Sequence, residues 1–299
     1  MTVLITGGSG FIGKNITTYF LENNWDVINI SRTRANIPKL KNQFQLNIGE
    51  KNVIEKIINK ISPCEHIIHC AANTDHDFNN PEVTSVNCFG THQILNLAKK
   101  WEVESFVYLS GVNIIGIPIF HPITEMHPPN PQTVYHASKL FGENLSQIAN
   151  KQFDLNTSIL RISAPIGPGM PSNKIVPRFV VQALNNKPLQ IIGQGTRKQN
   201  YVDVRDISRL VEQCIKKSSD GIYNIGGREC ISNLDLAKLC IDCLNSKSEI
   251  VYTNKIDSEE GLIWDLSIEK AETEIGYFPI YTLERSIRDI SKDYDNCNH

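Results

Sequence analysis

Three glycines near the start of the chain constrain its fold most strongly. Gly7, Gly10 and Gly13 separate the apolar run Val3-Leu4-Ile5 from a segment with helical character that begins near Lys14. In a strand–turn–helix unit, the first glycine permits a tight turn, the second lets a ligand approach the backbone, and the third allows close helix–strand packing. Free N–H groups at the helix start favour an anion. The turn, including Phe11 and Ile12, therefore predicts a site for a dinucleotide pyrophosphate.

Strands and helices alternate along the first half of the sequence. The predicted strands are 3–5, 26–30, 44–48, 66–70, 106–109 and 156–161, and the predicted helices are 14–23, 53–60, 83–100 and 135–150. This alternation indicates an α/β fold with a doubly wound parallel sheet of the Rossmann type. We expect a dinucleotide-binding domain over 1–163. A smaller C-terminal substrate lobe is expected over 164–299, with some segments returning to the sheet.

Composition and charge exclude several classes of partner. The formal net charge is −2, so no broad electrostatic field favours nucleic acid or an anionic membrane. No apolar run approaches the ~20 residues that span a bilayer. The N-terminus continues directly into the first strand and lacks the features of a signal peptide. We therefore expect a cytoplasmic protein with a small-molecule substrate.

The end of the second predicted strand bears on the choice of dinucleotide. Sites that prefer NAD usually carry an acidic residue there, about 20 residues beyond the glycines, to hold the ribose 2′-hydroxyl. The segment here contains Ser31, Arg32 and Arg34 and no acid. A guanidinium group can bind a 2′-phosphate through two hydrogen bonds. The sequence thus favours NADP(H), while NAD(H) and a simple solvated basic loop stay open.

Tyr135 and Lys139 are the candidate catalytic pair. A spacing of four places both on one face of the predicted helix. An ammonium group beside a phenol favours the phenolate, which lowers the pKa of the tyrosine. Tyr135 could then exchange a proton with a substrate hydroxyl or carbonyl, and Lys139 could hold the nicotinamide ribose.

Cysteine and histidine spacing does not predict a metal site. The eight cysteines are expected to be free thiols, and the pair Cys240 and Cys243 falls within a helical pattern without a second pair. His66, His69 and His76 match no metal-binding spacing. We expect packing or loop roles for these histidines.

Together these motifs resemble the extended short-chain dehydrogenase/reductase family, the NAD-dependent epimerase/dehydratase group. Further similar motifs are His69-Cys70-Ala71-Ala72, Asn87 with Gly90-Thr91, Thr124-Glu125, Leu160-Arg161, Gly167-Pro168-Gly169, Tyr223-Asn224-Ile225-Gly226-Gly227 and Ile275-Gly276-Tyr277-Phe278-Pro279. The resemblance implies a Rossmann domain, a substrate lobe and often a homodimer formed through helices. It also implies nucleotide-activated sugars as substrates, with 4-epimerisation, 4,6-dehydration or keto-sugar reduction as the reaction.

The resemblance assigns several cofactor contacts. Cys70, Ala71 and Ala72 would line the cofactor cleft, and Asn47 and Ile48 would flank the adenine. Asn87 is assigned to the same cofactor site.

The sequence departs from the family pattern at substrate-facing positions. Gly111 stands where the resemblance places a catalytic Ser or Thr. Ser110 is the predicted substitute, although neighbouring strand residues point to opposite faces; Asn113, a water or a substrate hydroxyl could also fill this role. Ala164 and Gln199 replace an Asn and an Arg expected at the diphosphate. For that contact, Arg197 or Lys198 is the candidate.

These observations favour reduction of a keto-sugar by hydride transfer, with Tyr135 as proton donor. The first alternative is an NAD-dependent nucleotide-sugar 4-epimerase or dehydratase, although Val112 and Asn113 do not supply the acid pair expected of a dehydratase. A second alternative is an NADP(H)-binding module without turnover.

Overall fold

A seven-stranded parallel sheet organises the chain. The computed structural model describes residues 1–295. The strands of this sheet are β1 (Thr2–Thr6), β2 (Asp26–Ser31), β3 (Asn42–Gln45), β4 (His66–His69), β5 (Ser105–Gly111), β6 (Asn156–Ile162) and β10 (Gly221–Ile225). Their spatial order is β10-β6-β5-β4-β1-β2-β3, and all neighbouring pairs are parallel.

Helices cover both faces of this sheet. On β1, Val3 and Ile5 join one buried cluster, while Leu4 joins the other, as alternation along a strand requires. The helices in chain order are α1 (Phe11–Glu22), α2 (Val53–Ile58), α3 (Pro81–Thr84), α4 (Thr91–Trp101), α5 (Val134–Phe153), α6 (Ile175–Leu184), α7 (Val204–Lys216), α8 (Asn233–Cys243) and α9 (Leu283–Asp295). α1 and α7 pack on the first face, and α2, α4 and α5 on the second. The predicted doubly wound fold is confirmed.

The later part of the chain forms smaller sheets beside the large one. Its strands are β7 (Ala164–Ile166), β8 (Leu189–Ile191), β9 (Lys198–Asp203), β11 (Cys230–Ser232) and β12 (Ile250–Tyr252). β11, β9 and β7 form one sheet, and β12 pairs with β8. α6, α8 and α9 share a separate core that contains Phe179, Leu236 and Ile287. β10 returns to the large sheet, as expected, whereas the domain boundary at 163 stays a prediction.

Two predicted elements differ from the structure. The third strand covers Asn42–Gln45 instead of 44–48, so Asn47 and Ile48 follow it in a loop. The apolar Ile48 is buried there without belonging to the strand, which explains the misplaced prediction. The predicted helix 83–100 is interrupted by a π-helical segment, Ser85–Gly90, between α3 and α4.

Candidate active site

A large cleft opens at the carboxyl ends of the parallel strands. Its volume is ≈ 1410 Å³, and the turn after β1 forms part of its wall. β1 lies between β2 and β4, where the winding of the chain reverses direction. Such a switch point leaves a crevice between the diverging loops, and ligands of doubly wound sheets bind there.

The three glycines of the turn after β1 serve different needs. Gly7 has φ +77°, and a Cβ on it would lie 2.7 Å from the Ala71 backbone; a Cβ on Gly13 would lie 2.2 Å from the Gly7 carbonyl oxygen. These two positions are therefore restricted by the protein itself. A Cβ on Gly10 would meet only the Gly7 oxygen, at 3.4 Å. The space beside Gly10 is open to the cleft, as a closely approaching pyrophosphate requires.

The start of α1 offers uncompensated positive potential to the same space. No side chain caps the helix, and its first turn carries no acidic residue. Gly10, Phe11 and Ile12 line the cleft there. Backbone N–H groups and the helix dipole favour an anion at this position. The residues present therefore fit the phosphates of a dinucleotide.

Asn29 organises this turn from within the sheet. Its Oδ1 accepts from the Gly8 N–H at 3.0 Å, and its Nδ2 donates to the Ser31 hydroxyl at 3.1 Å. The Ser31 hydroxyl in turn donates to the Thr33 carbonyl at 2.8 Å. Asn29 was not among the predicted site residues, although an amide between the apolar Ile28 and Ile30 was a usable signal. It fixes the phosphate turn relative to the loop that follows β2.

The two arginines after β2 occupy different places. Arg32 lines the cleft, and its guanidinium Nη1 lies 3.6 Å from the Glu82 carboxylate in an exposed ion pair. Arg34 is exposed and is not part of the cleft wall. Of the two predicted contacts to a 2′-phosphate, the structure therefore brings only Arg32 to the cleft.

Most of the other predicted cofactor contacts line the cleft. They are Ser31, Asn47, Ile48, Cys70, Ala71 and Ala72. Asn87 is an exception, because it is buried outside the cleft wall. Its Nδ2 donates to Ser138 and to the Asn73 carbonyl, and its Oδ1 accepts from the Asn73 N–H. Asn87 thus ties the loop after β4 to α5, and its contact with the cofactor stays a prediction.

Tyr135 and Lys139 lie together on the cleft wall in the first turns of α5. The helix begins there because the Thr133 hydroxyl caps it, accepting from the His136 N–H. Burial lowers the pKa of Lys139 to about 8, and its ammonium lies 4.2 Å from the centre of the Tyr108 ring. Burial raises the pKa of Tyr135. The expected lowering by Lys139 is thus not present in the protein alone, because desolvation of the phenol dominates.

The hydroxyl of Ser110 is already engaged by the protein. It donates to Glu143 Oε1 at 2.5 Å, and Arg161 donates to both oxygens of the same buried carboxylate. A paired, buried carboxylate of this kind holds its partners firmly because breaking one bond leaves a charge unsatisfied. Ser110 lines the cleft, but its hydroxyl belongs to a network that joins β5, α5 and β6, and its role as the catalytic hydroxyl stays a prediction.

The place next to Ser110 is occupied by an amide. A Cβ on Gly111 would lie 2.6 Å from Oδ1 of Asn113. The Asn113 Nδ2 lies 2.7 Å from His136 Nε2, and both side chains line the cleft beside Tyr135. Burial lowers the pKa of His136 to about 4, so this ring is neutral at pH 7. His136 was not among the predicted site residues.

The far side of the cleft is formed by the smaller lobe. Arg197, Gln199, Tyr201 and Trp264 line it, together with Lys174, whereas Lys198 does not. Arg197 forms an ion pair with Glu259. Of the two predicted phosphate contacts on this side, Arg197 is therefore the one within reach of a ligand in the cleft.

Most of the cysteines and histidines discussed above lie in packed or hydrogen-bonded positions. Within residues 1–295, no group of three or more His, Cys, Asp or Glu side chains could hold a metal ion. Cys240 and Cys243 are buried free thiols on α8, and Cys297 lies outside the described residues. His66 bonds Ser105, and His69 bridges two threonine hydroxyls. His76 differs, because its ring packs against Tyr135 and His136.

Comparisons with known proteins agree with this geometry. A sequence profile for the "NAD dependent epimerase/dehydratase family" matches residues 3–226. A Methanocaldococcus jannaschii protein named as a candidate UDP-glucose 4-epimerase is 30% identical, covering 99% of each chain. A dTDP-D-glucose 4,6-dehydratase of Dictyostelium discoideum is 32% identical, covering 80% of this chain and 61% of its own length.

The fold also matches a solved structure over its whole length. The structure of UDP-glucose 4-epimerase from Thermotoga maritima with UDP-glucose superposes with a TM-score of 0.92, at 22% identity and with 100% of each chain covered. Within the described residues, no helix is long and apolar enough to cross a membrane.

Proposed function

The chain belongs to the NAD-dependent epimerase/dehydratase family of enzymes, and from this premise we propose that it is a nucleotide-sugar 4-epimerase. The names of its relatives match the epimerase or dehydratase alternative, while keto-sugar reduction, favoured from the sequence, is not confirmed. Relatives act on UDP- or dTDP-linked hexoses by name. A hexose linked to a nucleoside diphosphate is therefore the proposed substrate.

In this proposal, different residues of the cleft bind the cofactor and transfer the proton. The turn at Gly7, Gly10 and Gly13 and the start of α1 hold the dinucleotide phosphates. When bound, the dinucleotide supplies a nicotinamide that takes a hydride from the sugar and returns it. Tyr135 takes the proton of the sugar hydroxyl during oxidation. It returns a proton after the keto-sugar has rotated to present its other face. Lys139 holds the nicotinamide ribose and keeps a positive charge near the phenol.

One observation favours epimerisation over dehydration as the reaction. Within residues 1–295, Glu259 is the only acidic side chain lining the cleft, and it is paired with Arg197. Loss of water across two sugar carbons needs an acid and a base beside the reacting atoms, in addition to the tyrosine. Epimerisation needs only one proton donor and acceptor. Tyr135 supplies it.

For the cofactor, we propose that the site prefers the 2′-phosphorylated dinucleotide, NADP(H). Arg32 stands at the cleft end of β2, and no carboxylate occupies the position of Ser31. The Arg32–Glu82 pair is exposed, and such pairs contribute little free energy, so Arg32 can turn to a phosphate. The family description names NAD, which is the alternative. Either form supports a hydride that is taken and returned.

The test is turnover of UDP-glucose, UDP-galactose and dTDP-glucose, followed by proton NMR after the bound nucleotide of the preparation has been identified. The 4-epimer should accumulate to equilibrium without net consumption of the added nicotinamide dinucleotide. A 4-keto-6-deoxy sugar would establish the dehydratase instead. If the protein instead reduces a keto-sugar and consumes NADPH in stoichiometric amount, the reductase function favoured from the sequence would be supported. Tyr135→Phe should lose at least 100-fold in kcat and still bind dinucleotide.

The homodimer and the cytoplasmic location both stay predictions. The exposed apolar surface of the π-helical segment and α5 is the basis of the first prediction.

A further inference from the structure

The end of β5 carries no uncommitted hydroxyl for the reacting sugar. Gly111 has no side chain, and the hydroxyl of the neighbouring Ser110, which also lines the cleft, donates to Glu143 at 2.5 Å. If the proposed function is correct, a polar group is still needed opposite Tyr135. Without that group, the sugar oxygen would have one hydrogen bond fewer while negative charge develops on it.

Asn113 occupies the space where that side chain would stand. Val112–Ile115 forms a 3₁₀ turn directly after β5, and this turn brings residue 113 back to the strand end. A Cβ on Gly111 would lie 2.6 Å from Oδ1 of Asn113, closer than real contacts allow. A serine at 111 would therefore require the Asn113 carboxamide to move from this position.

His136 holds this amide next to the tyrosine. The distance between Asn113 Nδ2 and His136 Nε2 is 2.7 Å, and the rings of Tyr135 and His136 are 5.6 Å apart. Within the described residues, the buried Nδ1 of His136 has no hydrogen-bond partner. The tautomer of an imidazole is set by the bonds of its two nitrogens, so here nothing else fixes it.

An amide paired with such a ring can serve both oxidation states of a sugar. In one tautomer, Nε2 accepts from the amide nitrogen, and the amide oxygen faces the cleft as an acceptor for a hydroxyl. In the other, Nε2–H donates to the amide oxygen, and the amide nitrogen faces the cleft as a donor for a carbonyl. A serine hydroxyl has the same double capacity.

We propose that the Asn113 carboxamide, positioned by His136, replaces the absent hydroxyl at position 111 and hydrogen-bonds the sugar oxygen that exchanges its proton with Tyr135. Asn113 is then a catalytic residue and His136 a positioning residue. The inference rests on the proposed function.

A reciprocal rescue tests it, with kcat and KM measured for the nucleotide sugar that the wild type turns over. Asn113→Ala should lower kcat about 10- to 100-fold with little change in KM. Gly111→Ser should also lose activity, because the serine Cβ meets the amide. The double variant Gly111→Ser/Asn113→Ala removes this clash and restores a hydroxyl. Its kcat should exceed that of either single variant at least fivefold.

Three further measurements keep the outcomes separate. Dinucleotide affinity by calorimetry and the melting temperature should stay near wild type in Asn113→Ala, which excludes a folding defect. His136→Phe keeps a ring but loses the bond to Asn113, and its effect on kcat should not add to that of Asn113→Ala.

The inference is overturned if Asn113→Ala keeps the wild-type kcat, if only KM changes, or if the double variant is no better than the singles. No turnover by the wild type itself would overturn the proposed function, and this inference with it.

Discussion

At the scale of single residues, the site shows which predicted side chains are free for a ligand and which are not. The spacing of Tyr135 and Lys139 was enough to place both on one wall of the cleft. Ser110 and Asn87 were predicted by position, and the structure shows their side chains bonded to Glu143 and Ser138. Those partners lie 33 and 51 residues away along the chain. A sequence pattern cannot reveal them, because they meet only through the fold.

Arg32 and Arg34 provide a matched pair for testing the cofactor preference. Arg32→Ala should weaken NADP⁺ binding about 10- to 100-fold, the loss expected for a charged hydrogen bond, and should leave NAD⁺ binding nearly unchanged. Arg34→Ala should alter neither, because Arg34 lies outside the cleft wall. Calorimetric titration of both nucleotides checks this. Equal losses for NAD⁺ and NADP⁺ in Arg32→Ala would argue against a 2′-phosphate contact.

Lys139 should lower the free energy of unfolding although turnover requires it. Its folded pKa of about 8 lies below the ordinary 10.5, so the buried ammonium destabilises the unliganded protein. The displacement corresponds to a free energy on the order of 3 kcal/mol. Lys139→Met should therefore raise the free energy of unfolding at pH 7 while abolishing turnover.

The sign of the pH dependence follows from the same pKa values. The destabilisation is complete below about pH 8, where both states carry the charge, and it fades between pH 8 and 10.5 as the folded protein loses its proton first. The stability advantage of Lys139→Met should thus shrink across this range in urea denaturation. Lys100→Met, at an exposed lysine of α4, is the control and should show no such trend.

At the scale of elements, two glycines of the turn between β1 and α1 should have different roles, Gly13 in stability and Gly10 in dinucleotide binding. Gly13→Ala should destabilise the protein by roughly 1–3 kcal/mol, because its Cβ would lie 2.2 Å from a backbone oxygen. Gly10→Ala should keep the melting temperature but lose at least tenfold in dinucleotide affinity, because its methyl group enters the open space. Thermal melting and calorimetry on both variants check this. Wild-type affinity in Gly10→Ala would mean that the phosphates bind elsewhere.

Element positions were predictable where periodicity and turn signals agreed. β1, β2 and α5 were located within a few residues because an apolar run or a helical spacing ends at a clear boundary. The π-helical segment Ser85–Gly90 left no such signal. The segment contacts α5 and, through Asn87, bonds Asn73 in the loop after β4, and these contacts form only in the fold.

At the scale of the whole molecule, the helical layer on one face of the large sheet has an exposed apolar outer surface. Phe89, Phe141 and Ile148, on the π-helical segment and α5, are 40%, 44% and 47% exposed. Phe89 and Phe141 border a groove of ≈ 740 Å³ that also includes Leu145 and Cys88. Contiguous exposed apolar side chains of this kind mark association surfaces. The homodimer implied by the resemblance would place this face against a second copy.

The prediction is a dimer in solution that one surface charge disrupts. A stable interface buries about 1,200–2,000 Å² in total, and a carboxylate at its apolar centre would be desolvated without a partner. Phe141→Glu should therefore shift the mass by analytical ultracentrifugation from dimer to monomer, while Ile256→Glu should not. Ile256 is 92% exposed and lies in the smaller lobe, so it controls for added charge alone. A wild type that sediments as a monomer at micromolar concentration would instead mean that this apolar face has another partner.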